Sequence, residues 1–247
     1  MATVVPVIAG SQDARHYSSS DIVFNRLQKF DPDISSAKPD IYYGAQPSQI
    51  DPRVRQELGE YIVPSGQQKR PAAPNYFFEG KSASGKPDVA QRQAMYDGAL
   101  GARGMLQLQN YGNIATAYDG NAYTMSATYS DGQLKMYATH PKESSRAGQT
   151  EYHMTQLDSF AMTGNINGFR TGAAAYRNAR DWTEEQRNRI INEANLVAQS
   201  TSPETTASGA ISGRTSRTTT LESASPATSG DEACGEALVG RKQRKWR

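Results

Sequence analysis

Apolar residues recur along the chain with two periods, one helical and one alternating, and these divide it into expected helices and strands. Ser18, Ser19 and Ser20 stand as candidate N-caps ahead of Ile22, Val23, Leu27 and Phe30, whose spacing predicts a short amphipathic helix over 18–30. Lys38-Pro39-Asp40-Ile41-Tyr42-Tyr43-Gly44 sets β-favouring residues between a proline and a glycine, which predicts a strand opened by Asp40. Val54, Leu58 and Ile62 fall four apart and predict a second helix between Ile50 and Ile62. A polar loop from Pro64 to Pro74 follows, and then a strand from Asn75 to Lys81.

Pro87 and Asp88 suit a helix first turn, because proline has no N–H to satisfy and the acid complements the helix dipole. That helix is expected to run to about Asn110. Gly98, Gly101 and Gly104 lie inside it and each costs about 1 kcal/mol relative to alanine, so their spacing predicts a face pressed closely on a neighbour. Tyr123, Met125, Ala127 and Tyr129 then alternate with Ala122, Thr124, Ser126 and Thr128. Asp131-Gly132 and a second alternating run, Leu134 to Thr139, complete a hairpin signal. Tyr152 to Met162 and Gly168 to Arg180 read as helices, and Thr183 with Gln186 as a capping box for a last helix, Glu184 to Gln199.

Composition refines this into one domain with tails. The chain has 247 residues, of which 36% are hydrophobic, and a mean hydropathy of -0.71, so part of the length must lie outside a packed core. That part is the Ser/Thr-rich stretch Ser200 to Asp231, which is expected to be disordered. The expected organisation is an N-terminal extension over 1–17, a domain over 18–199 and a tail over 200–247. A net charge of +2 and a pI near 8.6 carry no global nucleic-acid signature. The basic end Arg241-Lys242-Gln243-Arg244-Lys245-Trp246-Arg247 reads as a nuclear-import signal, a phosphate-contacting tail or a solubilising terminus. Cys234 is the single cysteine, which excludes an intramolecular disulfide and a thiolate metal cage. No segment approaches the roughly 20 apolar residues of a membrane span, and the first ten residues lack the layout of a secretory signal. An intracellular protein without a membrane partner is the expectation.

The candidate chemistry sits on the Asn75–Lys81 strand. Residues two apart on a strand face one way, so Glu79 and Lys81 project together while Gly80 points back. Asp40 and Glu79, on neighbouring strands, form a carboxylate pair suited to one magnesium or manganese ion, because such ions prefer oxygen ligands and keep several waters. Lys81 would orient or help deprotonate a water and stabilise charge on an attacked phosphate. Gly80, lacking a side chain, lets its carbonyl approach the ion as a further ligand. Gln93 falls on the otherwise apolar stripe Val89, Gln93, Tyr96, Leu100 and is the fourth candidate; a helix-to-loop hydrogen bond explains it equally well. Glu-x-Lys is also what a solvated strand edge looks like. Order and context, an Asp strand, a Glu-x-Lys strand and then a Gln helix, carry the signal. A zinc hydrolase built on His140 and His153 is the weaker class, since these lack the helical i, i+4 spacing of zinc-binding pairs.

The segments Lys38–Ala45, Pro74–Lys81 and Arg92-Gln93-Ala94-Met95-Tyr96-Asp97-Gly98-Ala99-Leu100-Gly101-Ala102-Arg103 resemble a domain of many uncharacterised proteins of filamentous fungi. Tyr118–Thr124 and Glu151–Thr155 share in the resemblance. That domain is similar to the PD-(D/E)XK, restriction-endonuclease-like superfamily. The resemblance implies an α/β fold with a central mixed β-sheet flanked by helices, dependence on a divalent metal, and action on DNA or RNA. Its catalytic set maps to Asp40, Glu79 and Lys81, with Gln93 beside them. Many members are binding modules without cleavage, which is the alternative function. Three departures stand out: the 39 positions from Asp40 to Glu79 (79 - 40) are many for adjacent strands, with the 50–62 helix as an insertion to fill them; Asp21 is the only acid the 18–30 segment brings to the site; and only Asp31–Ala37 is left for a strand expected before Asp40.

Overall fold

The computed structural model describes residues 4–10, 16–82, 84–146 and 148–201. The expectations for the Ser/Thr-rich tail, Cys234 and the basic end fall outside them. Among the described residues six strands form one sheet in sequence order: β1 (Ser18–Ser20), β2 (Ile41–Ala45), β3 (Ala72–Gly80), β4 (Thr124–Ser130), β5 (Gln133–Glu143) and β6 (Thr150–Ala161). Only β3 and β4 run parallel; every other neighbouring pair is antiparallel. Parallel strands need a long crossover, and a 23-residue helix provides it. Among the described residues five α-helices accompany the sheet: α1 (Val4–Ala9), α2 (Pro52–Glu57), α3 (Gly59–Ile62), the crossover α4 (Pro87–Gln109) and α5 (Ile166–Ser200). The fold is α/β, a mixed sheet with α4 on one face and α5 on the other, as the resemblance implies.

Strand alternation distributes the core between these faces. Tyr43, Tyr76, Phe78, Ala127, Leu134 and Met136 pack with Tyr176 and Ala173 of α5, while Tyr42 and Phe77 meet Leu100 of α4 together with Phe24 and Leu27. Tyr42, Tyr76, Phe77 and Tyr176 are fully buried. Each such ring removes about 150–250 Å² from water, about 4–6 kcal/mol of transfer free energy before ordering entropy is subtracted. The Tyr76 hydroxyl donates to the Tyr176 carbonyl at 3.0 Å, so its polar end is also satisfied.

The glycines of α4 do what their spacing predicts. A Cβ at Gly98 would lie 2.6 Å from Thr139 Oγ1, and one at Gly101 2.7 Å from Phe77 Cε2 and 2.9 Å from the Pro74 carbonyl. The helix therefore lies closer to the sheet than side chains there would permit. The 131–132 turn also forms as expected, with Asp131 and Gly132 both at positive φ, the geometry of a two-residue hairpin loop.

Several elements differ from the sequence reading. Residues 18–30 are not a helix: Ser18–Ser20 pair with Ile41–Tyr43 as β1, and Phe24 and Leu27 reach the core from irregular chain. Apolar anchors of a loop had the spacing of a helix face. This β1 is the strand that precedes Asp40, earlier than 31–37. Asp21 lies exposed at positive φ and pairs with Lys38 at 3.4 Å, so it brings no acid to the sheet. The supposed extension contains α1, whose last carbonyls are captured from α5. Arg177 donates to the Val7 and Ile8 carbonyls and Arg180 to that of Ala9, each at 2.9–3.0 Å. The 50–62 helix is broken at Leu58 into α2 and α3. Residues 152–161 lie in β6, not in a helix. Thr183 is no cap: its hydroxyl donates to the Arg180 carbonyl, and the two expected last helices are one 35-residue helix.

Candidate active site

The antiparallel register of β2 and β3 pairs Ile41 with Phe78, and one step further sets Asp40 opposite Glu79. Opposed residues share a face, here the one that α4 covers, since Tyr42 and Phe77 on the same parity meet Leu100. Asp40 Oδ2 accepts from the Gly80 N–H at 2.7 Å, closing the end of the ladder. On the other side of β3, the Lys81 N–H donates to the Tyr129 carbonyl at 2.8 Å. This holds the Glu79-Gly80-Lys81 backbone between two strands. The Lys81 ammonium then reaches back to Glu79 Oε2 at 3.4 Å, with its side chain one-fifth exposed.

A further acid, without a role in the sequence reading, completes the cluster. Asp97 of α4 is 2% exposed, and its carboxyl interacts with that of Glu79, itself 1% exposed. Two buried carboxyls this close favour a proton held on one of them. Burial and the neighbouring Glu79 push the Asp97 carboxyl well above the usual carboxylate range, and burial with the nearby Asp40 raises Glu79. Each keeps one oxygen, Glu79 Oε1 and Asp97 Oδ2, with no other partner. One lysine thus faces three carboxyl groups, a balance that favours a retained proton or a bound cation.

Gln93 stands one helical turn before Asp97 and therefore on the same face of α4, with Oε1 buried and unpartnered. No hydrogen bond joins it to Asp40, Glu79 or Lys81 among the described residues. The sequence did hold a signal for Asp97. It lies among Ala90, Ala94, Gly98 and Gly101, the small residues that mark the face pressed on the sheet, where an acid has no water.

Among the described residues no group of three or more His, Cys, Asp or Glu side chains is arranged to hold a metal ion. What the site offers is the carboxylates of Asp40 and Glu79, main-chain oxygen at Gly80 and buried oxygens with spare lone pairs. An all-oxygen set of one or two carboxylates fits magnesium or manganese, which keep most of their waters, and does not fit a softer ion. A cavity of about 800 Å³ lies elsewhere. It is lined by Arg26, Arg55, Arg70 and Ala72, at the opposite end of β3 from Glu79.

Fold and cluster together define a mixed α/β domain with a carboxyl and lysine cluster where β3 leads into its crossover helix. The profile of DUF7924, a domain of unknown function, matches residues 9–194, well over half of the chain, and the chain belongs to that family. No curated protein and no solved structure matches it significantly. No helix among the described residues is long and apolar enough to cross a membrane.

Proposed function

We propose that this chain is a metal-dependent nuclease of the PD-(D/E)XK type, hydrolysing phosphodiester bonds of DNA or RNA at Asp40, Glu79 and Lys81. The observation that carries the reading is the opposition of Asp40 and Glu79 on adjacent strands with Lys81 Nζ 3.4 Å from the Glu79 carboxylate. Asp40 and Glu79, with the Gly80 carbonyl, would hold a magnesium or manganese ion. Such an ion supplies Lewis acidity and a more acidic water.

The chain's own groups have separate tasks. Lys81 places a positive charge where a phosphate loses its own compensation, and positions water through its N–H donors. Asp97, protonated, donates to Glu79 and fixes its orientation. Gln93 presents a free acceptor one turn away. The Gly80 N–H bond keeps Asp40 from swinging out of the site.

A second reading, a nuclease-fold module that binds nucleic acid or protein without cleavage, is favoured by burial. Glu79 and Asp97 are almost wholly covered. One experiment separates the two. Plasmid, single-stranded DNA and RNA are incubated with the protein and magnesium or manganese, beside Asp40→Ala and Lys81→Ala. Cleavage that both variants reduce by about 100-fold or more supports the nuclease. Salt-sensitive nucleic-acid binding without cleavage supports the module. Wild type and variants cutting alike would sink the catalytic assignment.

A further inference from the structure

His140 on β5 and His153 on β6 are directly opposed in antiparallel register, and their rings stack with centroids 5.4 Å apart and planes 20° from parallel. Glu151, two residues from His153 on the same face of β6, brings Oε2 to 3.3 Å from His153 Nε2. Ser144 Oγ steadies that carboxylate at 2.8 Å. Glu151 and His153 are exposed, while their neighbours Tyr152 and Met154 are half-buried, so the three donors share the solvent side of the last strand pair.

The sequence discounts these histidines because they lack helical spacing. Register supplies what spacing does not. Opposed residues of an antiparallel pair hold their Cβ atoms about 4.5–5.5 Å apart. Two imidazole nitrogens on one tetrahedral ion, each at about 2.0–2.1 Å, lie about 3.4 Å from one another. Side-chain rotation alone bridges that difference, since both rings lie at the surface and neither is held by a buried hydrogen bond. As they stand the rings do not enclose an ion; the site forms when they tilt their nitrogen edges together.

We propose that His140 and His153 form a surface chelating site for an imidazole-seeking transition-metal dication of the zinc, copper or nickel class, with Glu151 as third donor and water completing the shell. It is chemically distinct from the Asp40–Glu79 cluster, whose oxygen donors suit harder ions. It also joins β5 to β6 at the open edge of the sheet, so the bound ion cross-links the two strands. Lys142, opposite Glu151 on β5, competes for the carboxylate and sets the limit on its contribution.

The test is calorimetric titration of the EDTA-treated full chain with zinc, beside His140→Ala, His153→Ala, the double variant and Glu151→Gln. One saturable site is expected in the wild type, lost in every histidine variant and weakened about tenfold in Glu151→Gln. With copper, electron paramagnetic resonance should show two coordinated imidazole nitrogens. Zinc binding that is unchanged in the double variant, or a copper signal with no paired imidazoles, overturns the proposal. Because the expected site is independent of Asp40, Asp40→Ala should bind zinc at these histidines as the wild type does; its loss there would overturn the assignment too.

Discussion

Replacing Asp97 with asparagine tests the shared proton at the centre of the cluster. The side chain keeps its size, and its amide N–H takes over the donation to Glu79, so geometry is preserved while one titrating group is removed. In the wild type the Asp97 carboxyl is raised by burial and by Glu79, and binds its proton more tightly folded than unfolded. A group with a raised folded pKa contributes stability that is fully present below its unfolded value, near 4, and lost as pH climbs through the folded value. Over that window the slope reaches at most about 1.4 kcal/mol per pH unit for one proton. Urea unfolding of both proteins at pH 5, 6, 7 and 8 should therefore show the wild type losing stability relative to Asp97→Asn as pH rises. Titrating groups that do not interact with Asp97 are common to both and cancel, whereas Glu79 titrates together with it and belongs to the same difference. Parallel stability curves across this range would refute the shared proton, and with it the orientation of Glu79 by Asp97.

Three further substitutions probe the frame around the site. Gly101→Ala places a methyl against Phe77 and the Pro74 carbonyl and should cost about 1–3 kcal/mol in denaturant unfolding, whereas Gly59→Ala, with nothing within 4 Å, should gain about 0.5–1 kcal/mol. Asn75→Ala should lose about 3–5 kcal/mol. Its oxygen accepts from the fully buried Arg187 at 2.6 Å, and its amide donates to the Tyr123 and Thr183 carbonyls. Arg103→Ala removes a guanidinium that lies 4.3 Å over the Phe30 ring and donates to the Gln28 carbonyl. A cost of about 2 kcal/mol or more is expected, with limited proteolysis cutting near Phe30 before the core opens.

Local signals were sufficient wherever an element's own residues decide its shape. The Pro87 start and the small-residue face of α4, the Tyr76–Glu79 strand and the Asp131-Gly132 turn are written in neighbouring positions, and the structure contains all three. The sequence also set Asp40 and Glu79 on neighbouring strands, while their direct opposition comes from the β2–β3 register. Strand β6 was not legible in this way. A bulge opposite Met136 and Tyr137 leaves Leu157 unpaired and exchanges the faces, so that Tyr152 meets Phe30 near α4 while Phe160 packs on the α5 side. A broken alternation of that kind spaces apolar residues as a helix does.

The sequence by itself determined the strands and crossover helix that carry Asp40, Glu79, Lys81 and Gln93, because periodicity and turn chemistry act over a few residues. Tertiary structure alone decided three things. Residues 4–9 belong to the fold because Arg177 and Arg180, far along the chain, satisfy their carbonyls. His140 and His153 meet because β5 and β6 pair in that register. Asp97 joins Glu79 because glycines let α4 descend onto the sheet, and only that approach removes the water that would otherwise keep both carboxyls charged.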